Sequence, residues 1–98
     1  SKRMLSSLAE SLKDIPGFIE VEGHTDNIPM KANHNIPSNW EFSAYRAAIV
    51  IRHLEALGIP SHRFKLVGYA HHKPLAENST LEGRRKNRRI SLTVVREQ

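Results

Sequence analysis

Three helices alternating with three strands are predicted from this sequence, and that order is typical of an α/β (α+β) two-layer sandwich with helices packed on one small sheet. Three observations predict it: apolar residues that recur at helical spacing, short runs that alternate apolar and polar residues, and two capping motifs ahead of helical segments. The chain has 98 residues, which is close to the commonest size of one domain. We therefore expect a single domain over residues 1–98.

The first half of the chain predicts a helix, a strand and a long loop. Apolar residues recur at helical spacing over 3–14, and the pair Pro16-Gly17 ends that helix. Residues 18–23 alternate well enough for a strand. Residues 25–38 contain prolines and asparagines without an apolar period. A loop of this length inside a domain is usually functional or disordered.

The second half predicts the remaining four elements. Ser38 and Glu41 have the spacing of a capping box, with Ser38 as the N-cap of a helix that runs to Leu57 and is closed by Gly58. The other elements are a strand over 64–70, a short helix opened by a second capping box from Ser79 to Glu82 and ending near Lys86, and a last strand over 89–96.

Charge is unevenly distributed along the chain. The net charge is +5; by count, residues 1–49 carry −1 and residues 50–98 carry +6. This asymmetry favours an anionic partner for the second half, either nucleic acid or another polyanion. Residues 84–89 hold five cations in six positions, but only 6% of the residues are aromatic, which disfavours base stacking. The absence of cysteine excludes disulfides and thiolate catalysis.

Arg46 is the most informative residue of the predicted second helix. It falls near the middle of an apolar stripe formed by Phe42, Ile49, Val50, Leu54 and Leu57. A guanidinium near a core needs carboxylates or carbonyls, and Asp26 follows the preceding strand at the edge where α/β sheets bind ligands. Two interpretations stay open: a structural salt bridge between Asp26 and Arg46, or a zwitterion receptor in which Asp26 binds an ammonium and Arg46 a carboxylate.

Catalytic and metal-binding motifs are weak. Combinations of Asp26 with His24, His34, His71 and His72 match no recognised ligand spacing, so we expect surface or capping histidines, no metal and no cofactor. The glycines are scattered and no GxSxG turn is present. The sequence therefore predicts no enzyme.

Four motifs occur in an order that one known family shares: Val21-Glu22-Gly23-His24-Thr25-Asp26-Asn27, Asn39 with Ser43-x-x-Arg46-Ala47, Gly68-Tyr69, and Glu82-Gly83-Arg84-x-x-Asn87-Arg88-Arg89-Ile90. Over roughly residues 3–96 the chain resembles the OmpA-like peptidoglycan-binding domain. The run Asp26-Asn27-Ile28-Pro29, an extended loop and Ser38-Asn39-Trp40-Glu41-x-Ser43 are most similar to the periplasmic C-terminal domain of MotB-type flagellar stator proteins.

The resemblance implies non-enzymatic binding of the peptidoglycan stem peptide through its diaminopimelate residue, without a cofactor. In the family pattern the ligand lies between the positions of Asp26 and Arg46. The same match implies an orienting role for Asn39, a second cation at Arg88, and a rim shaped by Thr25 and Asn27.

The resemblance also implies a place in the cell: the periplasmic domain of a bacterial inner-membrane protein that anchors a flagellar stator to the wall. A homodimer beside a companion channel subunit is the implied assembly. The family's first strand is missing from this chain, so we expect a fragment whose membrane contact is through a segment absent here. The alternatives are an OmpA/Pal-type envelope tether not linked to motility and a basic nucleic-acid-binding domain using residues 84–89.

Overall fold

The structure is a computed structural model and describes residues 2–31 and 35–96. Its elements are α1 (Lys2–Lys13), β1 (Phe18–Gly23), α2 (Asn39–Ala56), a 3-10 helix (Ser61–Arg63), β2 (Phe64–Gly68), α3 (Leu81–Asn87) and β3 (Ile90–Val95). The predicted order of helices and strands and the predicted fold class are confirmed. None of these helices combines the length and the apolar character that a membrane crossing requires.

The sheet has the order β2-β1-β3, with β1 parallel to β2 and antiparallel to β3. The predicted alternation in β1 is confirmed, because Ile19 and Val21 are fully buried while Glu20 and Glu22 are half-buried on the opposite face. The two buried side chains belong to the hydrophobic core, whose other buried members are Ala9, Leu12, Ala47, Leu54 and Ile59. The core therefore lies between β1 and the two long helices.

Several predicted boundaries move by one or two residues. The strand predicted over 64–70 ends at Gly68, because Ala70 adopts a left-handed φ of 54° that no strand continues through. The short third helix is capped by Thr80 and not by Ser79, since the Thr80 hydroxyl accepts a hydrogen bond from the Gly83 amide at 2.9 Å. The other bounds differ by one residue: α1 from 3–14, the end of α2 from Leu57, the end of α3 from Lys86, and β3 from 89–96.

The predicted buried face of α2 is confirmed at Leu54, and Val50 and Leu57 pack partly buried against the core, but the predicted central position of Arg46 is wrong for a steric reason. The buried residues of α2 are Ser43, Ala47 and Leu54, so Arg46 lies at the flank of the buried face and not in its middle. The helix packs very close to the sheet: a Cβ atom added to Gly23 would lie 1.9 Å from the Ser43 carbonyl oxygen. Small residues therefore occupy the contact between α2 and the sheet. A prediction from hydropathy alone gives such residues too little weight.

Arg63, the residue before β2, makes hydrogen bonds to backbone carbonyls at and after the end of α1. Its Nε donates to the Gly17 carbonyl at 3.0 Å, its Nη1 donates to the Leu12 carbonyl at 2.8 Å, and its Nη2 donates to the Ile15 carbonyl. These carbonyls lie in and after the last turn of α1, where helical carbonyls lack intrahelical partners. The guanidinium thus caps α1 from across the fold.

We expect Arg63→Lys to lower the free energy of unfolding by about 1–3 kcal/mol, because one ammonium does not reproduce three diverging hydrogen bonds to partly buried carbonyls. Urea denaturation followed by circular dichroism measures this difference. Arg52→Lys on the exposed face of α2 is the matched control and should change the free energy by less than about 0.5 kcal/mol. Equal stability of the two variants would contradict the capping role of Arg63.

Candidate ligand-binding site

The chain leaves β1 through a buried segment, His24-Thr25-Asp26, that is held from both sides. The His24 amide donates to the Arg89 carbonyl at 2.9 Å, and the Thr25 amide donates to the Ala70 carbonyl at 2.8 Å. The Thr25 hydroxyl donates to the Asp26 carbonyl at 2.8 Å. The carboxyl end of β1 therefore continues as a fixed platform, at the sheet edge where ligands of α/β folds bind.

Ser43 positions that platform from α2. Its hydroxyl accepts a hydrogen bond from the Ala70 amide at 3.1 Å and donates one to the Trp40 carbonyl at 3.0 Å. Ala70 is buried with a left-handed φ, a conformation that costs roughly 1–2 kcal/mol for a residue with a Cβ atom. The Ser43 hydroxyl therefore helps to stabilise the backbone at Ala70, whose carbonyl accepts the hydrogen bond from the Thr25 amide.

Asp26 is the buried charge of the site. Its Oδ1 accepts from the Ile28 amide at 3.0 Å, and its Oδ2 accepts from Arg88 Nη1 at 3.0 Å. The side chain of Asp26 is 8% exposed, whereas that of Arg88 is 42% exposed. The Arg88 guanidinium therefore stays partly exposed to solvent while it pairs with Asp26. Each Asp26 oxygen keeps one further lone pair that can accept a hydrogen bond.

The predicted salt bridge between Asp26 and Arg46 does not form among the described residues. Within residues 2–31 and 35–96, the ion pair of Asp26 is with Arg88. The Arg46 guanidinium instead lies 5.8 Å from the centre of the Phe42 ring. This follows from the position of Arg46 at the flank of the buried face of α2.

Asn39, the first residue of α2, ties the loop after Asp26 to the helix. Its Nδ2 donates to the Ile28 carbonyl at 3.0 Å and to the Asp26 carbonyl at 3.4 Å. Below this loop lies a cavity of about 300 Å³, which we call the charged cavity; it is lined by Thr25, Asp26, Ile28, Pro29, Met30, Lys31, Asn39, Phe42 and Arg88.

The charged cavity brings together four of the six predicted site residues, namely Thr25, Asp26, Asn39 and Arg88. Asn27 is exposed and lines a neighbouring cavity. Arg46 does not line the charged cavity; its guanidinium lies 5.8 Å from the centre of the Phe42 ring, which does line it. The cavity thus offers one buried carboxylate, two cations from Lys31 and Arg88, and an apolar wall.

Asn87 is a structural residue of the site to which the sequence analysis assigned no role. It is fully buried, and its Oδ1 accepts from the amides of Leu75 and Ala76 at 2.7 and 2.9 Å. Its Nδ2 donates to the Ala76 carbonyl at 2.9 Å and to Asn78 Oδ1 at 2.8 Å. A fully satisfied buried amide next to Arg88 fixes the end of α3 from which that arginine projects. In the sequence, the feature that could have pointed to Asn87 is its place in the motif Asn87-Arg88-Arg89-Ile90.

The basic cluster over 84–89 is largely engaged within the fold. Arg84 Nη1 donates to the Asn78 carbonyl at 2.9 Å, Arg89 Nη2 donates to the Lys73 carbonyl at 3.0 Å, and Arg88 pairs with Asp26. These three cations thus serve local structure, and Lys86 Nζ lies 3.9 Å from Glu82 Oε1 on the surface of α3. The cluster is therefore not a continuous basic strip of the kind that binds a phosphate backbone.

His24 is buried, contrary to the expectation that the histidines are surface or capping residues. It is 1% exposed and stacks on Tyr69 with ring centroids 5.1 Å apart, and its Nε2 lies 3.3 Å from Glu22 Oε1. Burial, and then the charge of Arg89, lower the pKa of His24 below 6.5, against the opposing effect of Glu22. At neutral pH the ring is therefore uncharged.

The described part of the chain contains no group of three or more His, Asp and Glu side chains arranged to hold a metal ion. His71 and His72 are exposed, in agreement with the surface interpretation. His34 lies outside the described residues.

We expect the free energy of unfolding to fall as the pH drops below about 6.5, because the unfolded chain then binds a proton at His24 that the folded chain does not. Above this pH the ring is neutral in both states and contributes no slope. Urea denaturation between pH 7.5 and 5 measures the effect, whose slope for one proton is at most about 1.4 kcal/mol per pH unit.

The matched variants are His24→Phe, which keeps a ring against Tyr69 but cannot titrate, and His62→Gln at an exposed position. His24→Phe should flatten the pH dependence below 6.5, whereas His62→Gln should leave it unchanged. An unaltered slope in His24→Phe would show that other groups cause the loss of stability.

Comparisons with known proteins show what the chain is similar to. The chain is 41% identical over 95 residues to the uncharacterized protein YtxE of Bacillus subtilis, covering 96% of the chain and 39% of that protein. It is 41% identical over 81 residues to Motility protein B of Bacillus subtilis, covering 82% of the chain and 31% of that protein. It is 38% identical over 92 residues to the peptidoglycan-binding protein ArfA of Mycobacterium tuberculosis, covering 93% of the chain and 27% of that protein.

A solved structure matches the fold closely. The C-terminal domain of Helicobacter pylori MotB superposes with a TM-score of 0.90 at 26% identity, over 99% of this chain and 74% of that one. The chain spans well under half the length of the three curated relatives. The sequence model of the OmpA family matches residues 1–88. Because this match covers most of its length, this chain belongs to the OmpA family.

Proposed function

We propose that this domain binds the peptide stem of peptidoglycan, without catalysis, in the charged cavity. The observation that carries the proposal is the ion pair of buried Asp26 with half-exposed Arg88 at the edge of a cavity of about 300 Å³. A diaminopimelate residue carries an ammonium and a carboxylate on one carbon atom. The free lone pairs of Asp26 suit the ammonium, and the remaining N–H groups of Arg88 suit the carboxylate.

The surroundings of the ion pair suit a peptide. Met30 and Phe42 supply apolar surface for the aliphatic chain of the ligand, and Lys31 adds a second cation to the lining. Asn39 orients the ligand by fixing the loop, while Thr25 and Asn27 shape the rim. Arg46, beyond the Phe42 ring, binds a further carboxylate of a ligand that extends past Phe42. A stem peptide has several carboxylates and satisfies this arrangement better than a phosphate polymer does.

The names of the relatives support the same reading. One is called a peptidoglycan-binding protein, another is called Motility protein B, and the solved structure is of a protein called MotB. We propose that the domain is periplasmic and anchors a flagellar stator of the inner membrane to the wall, as a homodimer beside a channel subunit. The second candidate is a wall tether not linked to motility, which is favoured by the identity to ArfA.

Co-sedimentation with purified peptidoglycan tests the binding site. Asp26→Asn and Arg88→Gln should each weaken binding about ten- to a hundredfold, because each removes charge-assisted hydrogen bonds worth about 1.5–3 kcal/mol. Arg85→Gln is the matched control: it removes the same charge from the exposed face of α3 but does not line the charged cavity.

Pelleting of Asp26→Asn and Arg88→Gln at the wild-type level would contradict the site. Release of the bound domain by DNA or RNA in the same assay, with Arg85→Gln as the weakest binder, would favour the nucleic-acid alternative. Urea denaturation of each variant confirms that the fold is retained.

A domain graft separates the stator from the tether. We expect Motility protein B of Bacillus subtilis to support swimming when its matching segment is replaced by this chain, because the two are 41% identical over 81 residues. Swimming is scored in soft agar, with the Asp26→Asn graft as the control that should not swim. A wild-type graft that binds peptidoglycan but leaves the cells non-motile would favour the tether.

A further inference from the structure

His24 lies at the junction of β1 and β3 that the ion pair of the charged cavity closes. Its ring stacks on Tyr69, and its amide donates to the Arg89 carbonyl at 2.9 Å. Along the chain, His24 precedes Asp26 by two residues, and Arg89 directly follows Arg88. The two residues joined by the backbone hydrogen bond are therefore attached to the two residues joined by the ion pair. A change at His24 is transmitted to both charges of the site.

The surroundings of the His24 ring fit its neutral form and leave no acceptor for a second proton. Nε2 lies 3.3 Å from Glu22 Oε1, so we assign the single ring proton of the neutral form to Nε2. Nδ1 is buried and has no hydrogen-bond partner in the described part of the chain. A proton on Nδ1 would create a charged, buried N–H group without an acceptor, which is strongly unfavourable. Protonation therefore favours a rearrangement that brings this nitrogen to water.

The charged groups around His24 come from three segments of the chain. Glu22 lies on β1, Lys73 follows β2 beyond the stacked ring of Tyr69, and Arg89 directly precedes β3. The Arg89 Nη1 atom is itself buried without a partner among the described residues. Burial and then the charge of Arg89 lower the pKa of His24, with a smaller contribution from Lys73, whereas Glu22 raises it. A charged ring would thus be repelled by the residue to which its own backbone is bonded.

We propose that His24 is a positioning residue of the charged cavity: its neutral ring keeps Asp26 and Arg88 aligned, and its protonation in acid weakens binding of the stem peptide. The inference rests on the proposed function, because the ligand is the one assigned to that cavity. Repulsion between the charged ring and Arg89 separates β1 from β3 at their junction and breaks the backbone hydrogen bond between them. The junction then has a closed form that binds and an opened form that does not, and acid increases the opened population.

Calorimetry with the tripeptide L-Ala-D-Glu-diaminopimelate between pH 7 and pH 5 tests the proposal. The carboxyl groups of this ligand titrate below about pH 5 and its amino groups near about pH 8 or above, so its charge changes little in the window. We expect a constant affinity from pH 7 to 6.5 and a fall below 6.5, because the pKa of the folded His24 lies below that value. Linkage to one proton limits the fall to about tenfold per pH unit.

Three variants of the junction should change the pH profile in different directions. His24→Phe keeps a ring against Tyr69 but cannot titrate, so its affinity should not fall in acid. Arg89→Gln removes the repelling charge and raises the pKa of His24, so the fall should begin at a higher pH. Glu22→Gln removes the carboxylate that favours the charged ring, so the fall should begin at a lower pH. A residue that only supports the fold would not produce opposite shifts.

Two controls separate local opening from other effects of acid. His62→Gln, at an exposed histidine away from the junction, should leave the profile unchanged. Hydrogen exchange reports opening directly, because the Thr25 amide is bonded to the Ala70 carbonyl in the closed form. Protection of this amide should decrease below pH 6.5 in the wild type and not in His24→Phe. Circular dichroism at each pH confirms that the domain as a whole stays folded.

The outcomes distinguish this inference from the function on which it rests. A wild type that binds the tripeptide equally at pH 7 and pH 5 would overturn the role of His24 and leave the peptide site standing. Shifts of Arg89→Gln and Glu22→Gln in the same direction would also overturn it, and this comparison holds even if His24→Phe does not fold. A profile flattened by His71→Gln would assign the titration to that exposed histidine instead. Failure of the wild type to bind at pH 7 would overturn the proposed function as well.

Discussion

The close approach of α2 to the ends of β1 and β2 is the constraint on which the rest of the structure depends. A Cβ atom at Gly23 would lie 1.9 Å from the Ser43 carbonyl oxygen and does not fit, and one at Gly68 would lie 2.8 Å from the Ser43 hydroxyl oxygen. At this distance the Ser43 hydroxyl reaches the Ala70 amide, and the turn at Ala70 holds the Thr25 amide. The close packing is thus transmitted by hydrogen bonds to the segment that carries Asp26.

Burial of the Asp26 carboxylate requires compensation, because an unpaired ion in a protein interior is strongly unfavourable. Compensation comes from the Ile28 amide on the same loop and from Arg88 at the end of α3. Arg88 stands where Asn87 fixes the end of α3 through four hydrogen bonds. Arg88 from the basic second half of the chain therefore compensates the charge of Asp26 from the first half within the fold itself.

The fold could be predicted because its signals are local. Helical periodicity, the alternation in β1 and the Ser38 cap each lie within a few residues, and each was confirmed. The pair Asp26–Arg88 is separated by 62 residues, so no spacing rule links the two side chains. The family resemblance named both residues without pairing them. Arg46 was placed wrongly because a hydropathy stripe gives little weight to Ser43 and Ala47, and the burial of His24 depends on Tyr69, which follows β2.

One loop, which contains Pro29 and Met30, contributes to the walls of two adjoining cavities. Pro29 and Met30 lie between a charged lining on one side and a neutral, aromatic lining on the other. Asn39 holds the loop just before Pro29 by donating a hydrogen bond to the Ile28 carbonyl. Asn39 lies in the first turn of α2, the helix whose close packing on the sheet positions the site. The same loop therefore meets two linings of different polarity, and its position follows from the packing of α2 on the sheet and from the hydrogen bonds of Asn39.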